Sequence, residues 1–220
     1  YVSGTLSVRE GLRAPIPPLD PRPLLSMADM GHGGMDHGAS GLDSMAGMDH
    51  SGHDMGAMTG IDHSAGGMQS HPLSEQGNPL VDMQTMAPTA KLDDPGIGLR
   101  DNGRKVLAYA DLRSLFDDPD GRQPSREIEL HLTGHMEKFA WSFNGIPFAG
   151  AEPLKLNYGE RVRIVLVNDT MMTHPIHLHG MWSDLEDEHG NFMVRKHTID
   201  MPPGTKRAYR ARADALGRRA

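Results

Sequence analysis

The chain has 220 residues and no cysteine, carries 22 Lys+Arg against 29 Asp+Glu for a net charge of −7, and is only 37% hydrophobic and 5% aromatic. Without Cys there is no disulfide framework, no thiolate zinc site and no cysteine nucleophile; no run of about 18 apolar residues marks a membrane span, and the acidic balance argues against nucleic acid as a partner. The surplus residues are Gly 26, Met 16, Pro 16 and His 13, so part of the chain has no core of its own.

The start, Tyr1-Val2-Ser3-Gly4-Thr5, lacks the basic and apolar regions of a signal peptide and reads as the middle of a longer chain. Val2, Leu6 and Val8 alternate with polar residues, which suits a short strand. Pro15, Pro17, Pro18, Pro21 and Pro23 then favour an extended linker.

Residues 27–71 are low complexity, with eight Met and six His among Gly, Ser and Asp. Met35-Asp36-His37 recurs as Met48-Asp49-His50, with Ile61-Asp62-His63 a variant and His53-Asp54-Met55 its reverse. The repeat is too short and too Gly-rich for a solenoid and is expected to be disordered without ligand. Thioethers select Cu(I), and imidazole accepts either oxidation state of copper. The tract is therefore a candidate copper collector through Met27, Met30, His32, Met35, His37, Met45, Met48, His50, His53, Met55, Met58, His63 and Met68. So many Met in a polar stretch are not expected in a core. Residues 27–88 as a whole are expected to lack regular structure.

From about Lys91 the texture changes. Glu127–Thr133 alternates as a half-buried strand, Trp141-Ser142-Phe143 runs into the hairpin dipeptide Asn144-Gly145, and Arg161–Val167 is the strongest strand signal. Phe192–Val194 and Arg207–Ala211 suggest two more. Short strands, frequent turns and no amphipathic helix indicate an antiparallel sandwich or barrel.

The sharpest motif is His174-Pro175-Ile176-His177-Leu178-His179-Gly180. On a strand, His177 and His179 share one face and Leu178 turns to the other. Neutral imidazoles grouped this closely are ready ligands for Cu, Zn, Fe or Ni. Asp184, Glu186, Asp187 and Glu188 follow and read as a solvated acidic loop rather than a copper attractor. Met136 and Met201 read as packing residues, and Met171 and Met172 as either packing or neighbours of a metal. His131, His135, His189 and His197 are isolated and receive no role.

The His motif after Val167-Asn168-Asp169-Thr170, with Trp141–Gly145 upstream, resembles the last cupredoxin domain of a multicopper oxidase. Met171-Met172-Thr173-His174, Gly180–Asp184 and the Met/Asp/His tract make it most similar to the bacterial copper-resistance protein A type. The resemblance implies an all-β fold, a cupredoxin-like Greek-key sandwich preceded by the disordered Met/His/Gly-rich segment. It implies a division into 1–13 as the tail of a preceding cupredoxin domain, 14–90 as linker and copper-binding tract, and 91–220 as an incomplete C-terminal cupredoxin domain. By the same resemblance His174 is a ligand of the type 1 copper, His177 of the type 2 copper and His179 of the type 3 pair. The complete parent would oxidise Cu(I), and phenols as a further substrate class, while reducing dioxygen to water in the periplasm.

The departures carry equal weight. The family closes its type 1 site with a His-Cys-His element, and this chain has no Cys. Half of the trinuclear ligands come, in the family, from another domain. The 220 residues alone are thus expected to be incompetent as an oxidase and to depend on the remaining cupredoxin domains. Two other readings stay open: a copper-sequestering protein that uses the Met/His tract without catalysis, and a three-His zinc hydrolase. Against the latter, His174 and His177 fall on different faces of a strand. The His177 and His179 rings are expected to project from one edge of the sandwich, and the final strand is expected to leave an unpaired sheet edge.

Overall fold

The computed structural model describes residues 6–13, 18–30 and 68–217. Eight strands follow in order: β1 Arg126–His135, β2 Ala140–Phe143, β3 Arg161–Asn168, β4 His174–His177, β5 Ser183–Glu186, β6 Phe192–Lys196, β7 Thr198–Met201 and β8 Lys206–Arg212. Six form one sheet in the order β2-β1-β3-β8-β5-β6, and β4 pairs with β7 in a second, two-stranded sheet. The fold is all-β, the cupredoxin-like class expected. Its sheet is mixed rather than purely antiparallel, because β1 and β3 run parallel, with Ile128 beside Ile164 and Leu130 beside Leu166.

Strand β3 is the axis of the core. Val162, Ile164 and Leu166 face one side and join Leu132, Leu185, Ile199, Met201, Tyr209 and Ala211 in a single apolar cluster. Val165 and Val167 are buried on the opposite side. Each such side chain stabilises the fold by about 1.5–3 kcal/mol on burial. The turn that follows β2 uses Asn144 and Gly145 at φ 52° and 73°, the left-handed pair that a two-residue hairpin requires, and brings Phe143 against Ile146 in an antiparallel bridge. A Cβ on Gly145 would also lie 2.8 Å from the Asn78 amide, so the segment 74–78 packs directly on this turn.

Three expectations need correction. Strand β1 does not alternate to its end: His131, Leu132 and Thr133 are all buried. The reason is the segment 69–86, which lies along the face expected to meet water and bonds Asp82 N–H to the Gly134 carbonyl. Second, residues 183–186 are not a solvated acidic loop but the interior strand β5, buried at all four positions. Asp184 pairs with Arg195 at 2.7 Å, and Glu186 sits between Arg163 at 2.7 Å and Arg210 at 2.6 Å. Basic residues on β3, β6 and β8 take up the charge that the sequence alone assigns to solvent. Third, the edges of the large sheet are β2 and β6; β8, the last strand among the described residues, lies inside it between β3 and β5.

Residues 6–13 form no strand, and Leu6 and Val8 are fully exposed. Residues 27–30 and 73–75 form short 3₁₀ turns, and no strand or α-helix occurs among the other described residues of 18–88. Both flanks of the tract are nonetheless fastened to the sandwich. Asp29 accepts from Arg100 at 2.7 Å, its carbonyl accepts from Lys91, and the Met30 backbone packs on Gly204, where a Cβ would come within 2.6 Å.

Candidate metal centres

The His motif is displayed by a simple alternation. Strand β4 pairs with β7, placing His174 beside Met201, Ile176 beside Ile199 and His177 beside Thr198. Ile176 and Leu178 pack inward against the core cluster. His177 and His179 therefore face out and are exposed. Their ring centroids are 5.0 Å apart. His197 stacks on His177 at 4.0 Å with rings 25° from parallel, so it is not isolated as its sequence context suggests. The His177 Nδ1–H donates to the His197 carbonyl at 2.8 Å, which leaves the Nε2 lone pair free to bind a metal.

His174 occupies a different environment. It is half-buried, with its ring edge-on to Trp141 at 5.1 Å. Thr170 Oγ1 gives its proton to Asn168 Oδ1 at 2.8 Å, so the His174 Nε2–H donates to Thr170 Oγ1 at 2.7 Å. The Nδ1 lone pair is then the one available to a metal. Burial pushes the His174 pKa below its ordinary value, keeping the imidazole neutral and ligand-competent at neutral pH. Among the described residues, His174, His177 and His179 do not converge on one point, which disfavours a single three-His zinc site.

Of the Met/His tract, His32, Met35, His37, Met45, Met48, His50, His53, Met55, Met58 and His63 lie outside the described residues. Met27 is placed by its backbone alone, and Met68 is exposed. Met30 is fully buried, contrary to the expectation that no Met of the tract is a core residue. Its carbonyl accepts from Thr85 Oγ1 at 2.8 Å. Of the other methionines, Met201 is core as expected, whereas Met136 and Met172 are exposed.

One cluster escaped the sequence reading altogether. His71, Glu75, His131 and Asp169 bring four potential ligand atoms within 4.8 Å of one another, the only such group of three or more among the described residues. His131 is 1% exposed. Burial by itself would lower its pKa, but the hydrogen bond and charge of Asp169, joined by Glu129 and Glu75, outweigh this and raise it. No local spacing signals the group, because its members come from three separate stretches of chain.

The imidazoles of the β4 edge suit copper, and the 220 residues supply no thiolate for a blue-copper site. Residues 121–219 match the family described as Multicopper oxidase. Across 99% of its length the chain is 71% identical to the copper resistance protein A homolog of Pseudomonas syringae pv. tomato, of which it covers 38%. It is 66% identical to copper resistance protein A of Escherichia coli, again over 99% of the chain and 40% of that protein. The chain thus spans about two fifths of the length of the curated relatives it matches. A blue copper oxidase structure from Nitrosomonas europaea aligns with a TM-score of 0.41 at 17% identity, covering 47% of this chain and 38% of that one. The family match over residues 121–219 and the two curated relatives lead to one conclusion: this chain carries a domain of the multicopper oxidase family, whose cofactor is copper, and is similar along nearly its whole length to copper resistance protein A.

Proposed function

We propose that this chain is the C-terminal portion of a copper-resistance multicopper oxidase that oxidises Cu(I), and also phenols, with dioxygen as acceptor. Each Cu(I) gives one electron, and dioxygen takes four electrons and four protons to become two waters. The observation that carries the reading is the division of the His motif between two environments. His174 faces inward beside Trp141, while His177 at the end of the same strand and His179 in the turn just beyond it face outward. One short strand thereby links an enclosed ligand position to an open one. In the assembled enzyme His174 would hold the type 1 copper, His177 the type 2 copper and His179 one of the type 3 pair. Copper supplies one-electron redox chemistry there; the chain supplies neutral imidazoles of fixed orientation.

Exposed imidazoles beside exposed Trp182, whose ring lies 6.2 Å from His197, suit a face that packs against another cupredoxin domain. The chain alone would then be inactive, lacking both the thiolate and the facing ligands. The Met/His tract would collect Cu(I) for the oxidase. Both of its flanks reach one residue, since Thr85 Oγ1 donates to the Met30 carbonyl and the Thr85 carbonyl accepts from His71 Nε2 at 2.9 Å. A periplasmic location follows the copper-resistance relatives; no helix among the described residues is long and apolar enough to cross a membrane.

The test is to substitute this chain for the matching segment of the E. coli relative and follow dioxygen uptake with Cu(I). The chimera should consume dioxygen, the isolated chain should not, and His177→Ala or His179→Ala in the chimera should abolish uptake. A chimera that loads copper yet leaves dioxygen untouched rules the reading out. A second reading, a sequestering protein, is carried by the composition of the tract, eight Met and six His within residues 27–71. Anaerobic Cu(I) competition on the chain with and without residues 31–67 separates the two. Loss of several bound ions with the tract, in a chain whose chimera is inactive, favours sequestration.

A further inference from the structure

We propose that His71, Glu75, His131 and Asp169 form a site for one divalent transition-metal ion of borderline hardness, Zn2+ or Cu2+, that pins the segment following the Met/His tract to the sandwich. The proposal stands apart from the oxidase reading, because it uses none of the β4 histidines.

The outer nitrogens settle the orientation of both rings. His71 Nε2 lies 2.9 Å from the Thr85 carbonyl, which can only accept, so this nitrogen carries a proton. His131 Nε2 lies 3.1 Å from a Glu129 carboxylate oxygen and is likewise a donor. Both Nδ1 atoms consequently turn inward, toward carboxylates. His131 Nδ1 is 2.8 Å from Asp169 Oδ2 and 3.8 Å from Glu75 Oε1. His71 Nδ1 is 3.5 Å from the same Asp169 Oδ2 and 3.2 Å from Glu75 Oε2. An imidazole whose Nε2 donates outward and whose Nδ1 meets a carboxylate across so short a gap has either a proton or a metal cation between them, and the metal is the occupant proposed. The arrangement in which a ligating His donates its other N–H to a carbonyl or carboxylate is the usual outer shell of a metal site.

The carboxylates agree. Asp169 spends Oδ1 on the Thr85 N–H at 2.7 Å and leaves Oδ2 facing the rings. Glu75 spends Oε2 on the Gln84 amide at 2.8 Å. Its Oε1 is buried and has no hydrogen-bond partner, although Glu75 is only 3% exposed. An orphaned carboxylate oxygen at that depth is costly unless a cation meets it. The four inward atoms, two imidazole nitrogens and two carboxylate oxygens, lie within 4.8 Å of one another, and side-chain adjustment would bring them to the spacing of about 3.3 Å that a tetrahedral ion with bonds of about 2.0–2.2 Å sets between its ligands. Two carboxylates also balance a divalent charge. Glu129 is already paired with Lys206 at 2.9 Å, so it is free to serve as outer partner only. Imidazole with carboxylate favours borderline ions over Ca2+ and over soft Cu(I). The ion would join His71 and Glu75 of the tract's distal flank to β1 and to the residue following β3.

The 220-residue chain with His177→Ala and His179→Ala silences the exposed edge. In that background, Zn2+ and Cu2+ are titrated separately against a chromophoric chelator, with Ca2+ as a third arm. One equivalent should be lost, or weakened at least about 100-fold, in Glu75→Gln and independently in His71→Ala. Zn2+ should raise the melting temperature of the parent and not of either variant. Glu75→Gln is isosteric and removes a buried unpaired charge, and His71 lies at the rim of the cluster, so circular dichroism checks that both fold. Co2+ in the parent should give intense tetrahedral d–d bands that vanish in the variants. Equal Zn2+ and Cu2+ binding in parent and variants, or a preference for Ca2+ at this site, overturns the proposal and leaves the cluster as a proton-bridged ion-pair network.

Discussion

The β4 edge and the cluster under β1 use the same imidazole chemistry in opposite ways. At the edge, His177 ends β4 and His179 follows two residues later; both face water and have neighbours chiefly in other imidazoles. In the cluster, His71 and His131 come from distant segments, are enclosed, and have each outer nitrogen assigned to an acceptor. An exposed pair is an open half-site that another surface can complete. An enclosed set with its outer shell filled is already complete except for what lies at its centre. Ligands required at an interface are best placed by a local repeat. Ligands required for a staple are best placed by register.

The comparison can be broken by truncation. His131→Ala removes a buried ring and strands Asp169 and Glu75 without a positive neighbour. In metal-free buffer it should cost about 3–5 kcal/mol in urea unfolding. His177→Ala, on the exposed edge, should stay within about 0.5 kcal/mol of the parent. Equal costs for the two would erase the distinction between open and enclosed sites.

The docking of the tract's first flank can be tested separately. Gly204 holds φ 62°, and a side chain there would meet the Met30 backbone. Gly204→Val should lose about 2–3 kcal/mol and expose residues 18–30 to limited proteolysis, leaving the β4 edge unaffected.

A smaller effect should appear in acid. The Arg100 hydrogen bond holds Asp94 below the usual carboxylate range. Burial would raise Asp118, but its hydrogen bond to Arg161 prevails and lowers it. Carboxyls that titrate lower in the folded state stabilise fully above their unfolded value of about 3.9, and that contribution is lost as pH falls through the folded values. Melting temperature should therefore decline below about pH 4, and Asp94→Asn should flatten that decline. A melting curve that changes instead between pH 6 and 8 would place the controlling groups among the histidines.

Much of this was legible in the residues. The alternation of Ile176, Leu178 and the histidines predicts which rings face out, and the apolar run of Arg161–Asn168 identifies the central strand. Asn144-Gly145 announces its hairpin. Strand β5 was not legible, because Asp184 and Glu186 look solvent-seeking until Arg163, Arg195 and Arg210 are brought alongside them. His131 looked idle for the same reason: its partners Asp169 and Glu75 are remote in sequence.

The sequence by itself determined the strand-rich fold, the composition of the tract and the outward display of His177 and His179, since periodicity and backbone preference act over a few residues. The tertiary structure alone decided that Met30 is core, that β5 is a buried charged strand, and that His71, Glu75, His131 and Asp169 meet. Such meetings depend on how a segment lies against a sheet: Thr85 and Asp169, 84 positions apart, share a hydrogen bond that no local pattern encodes.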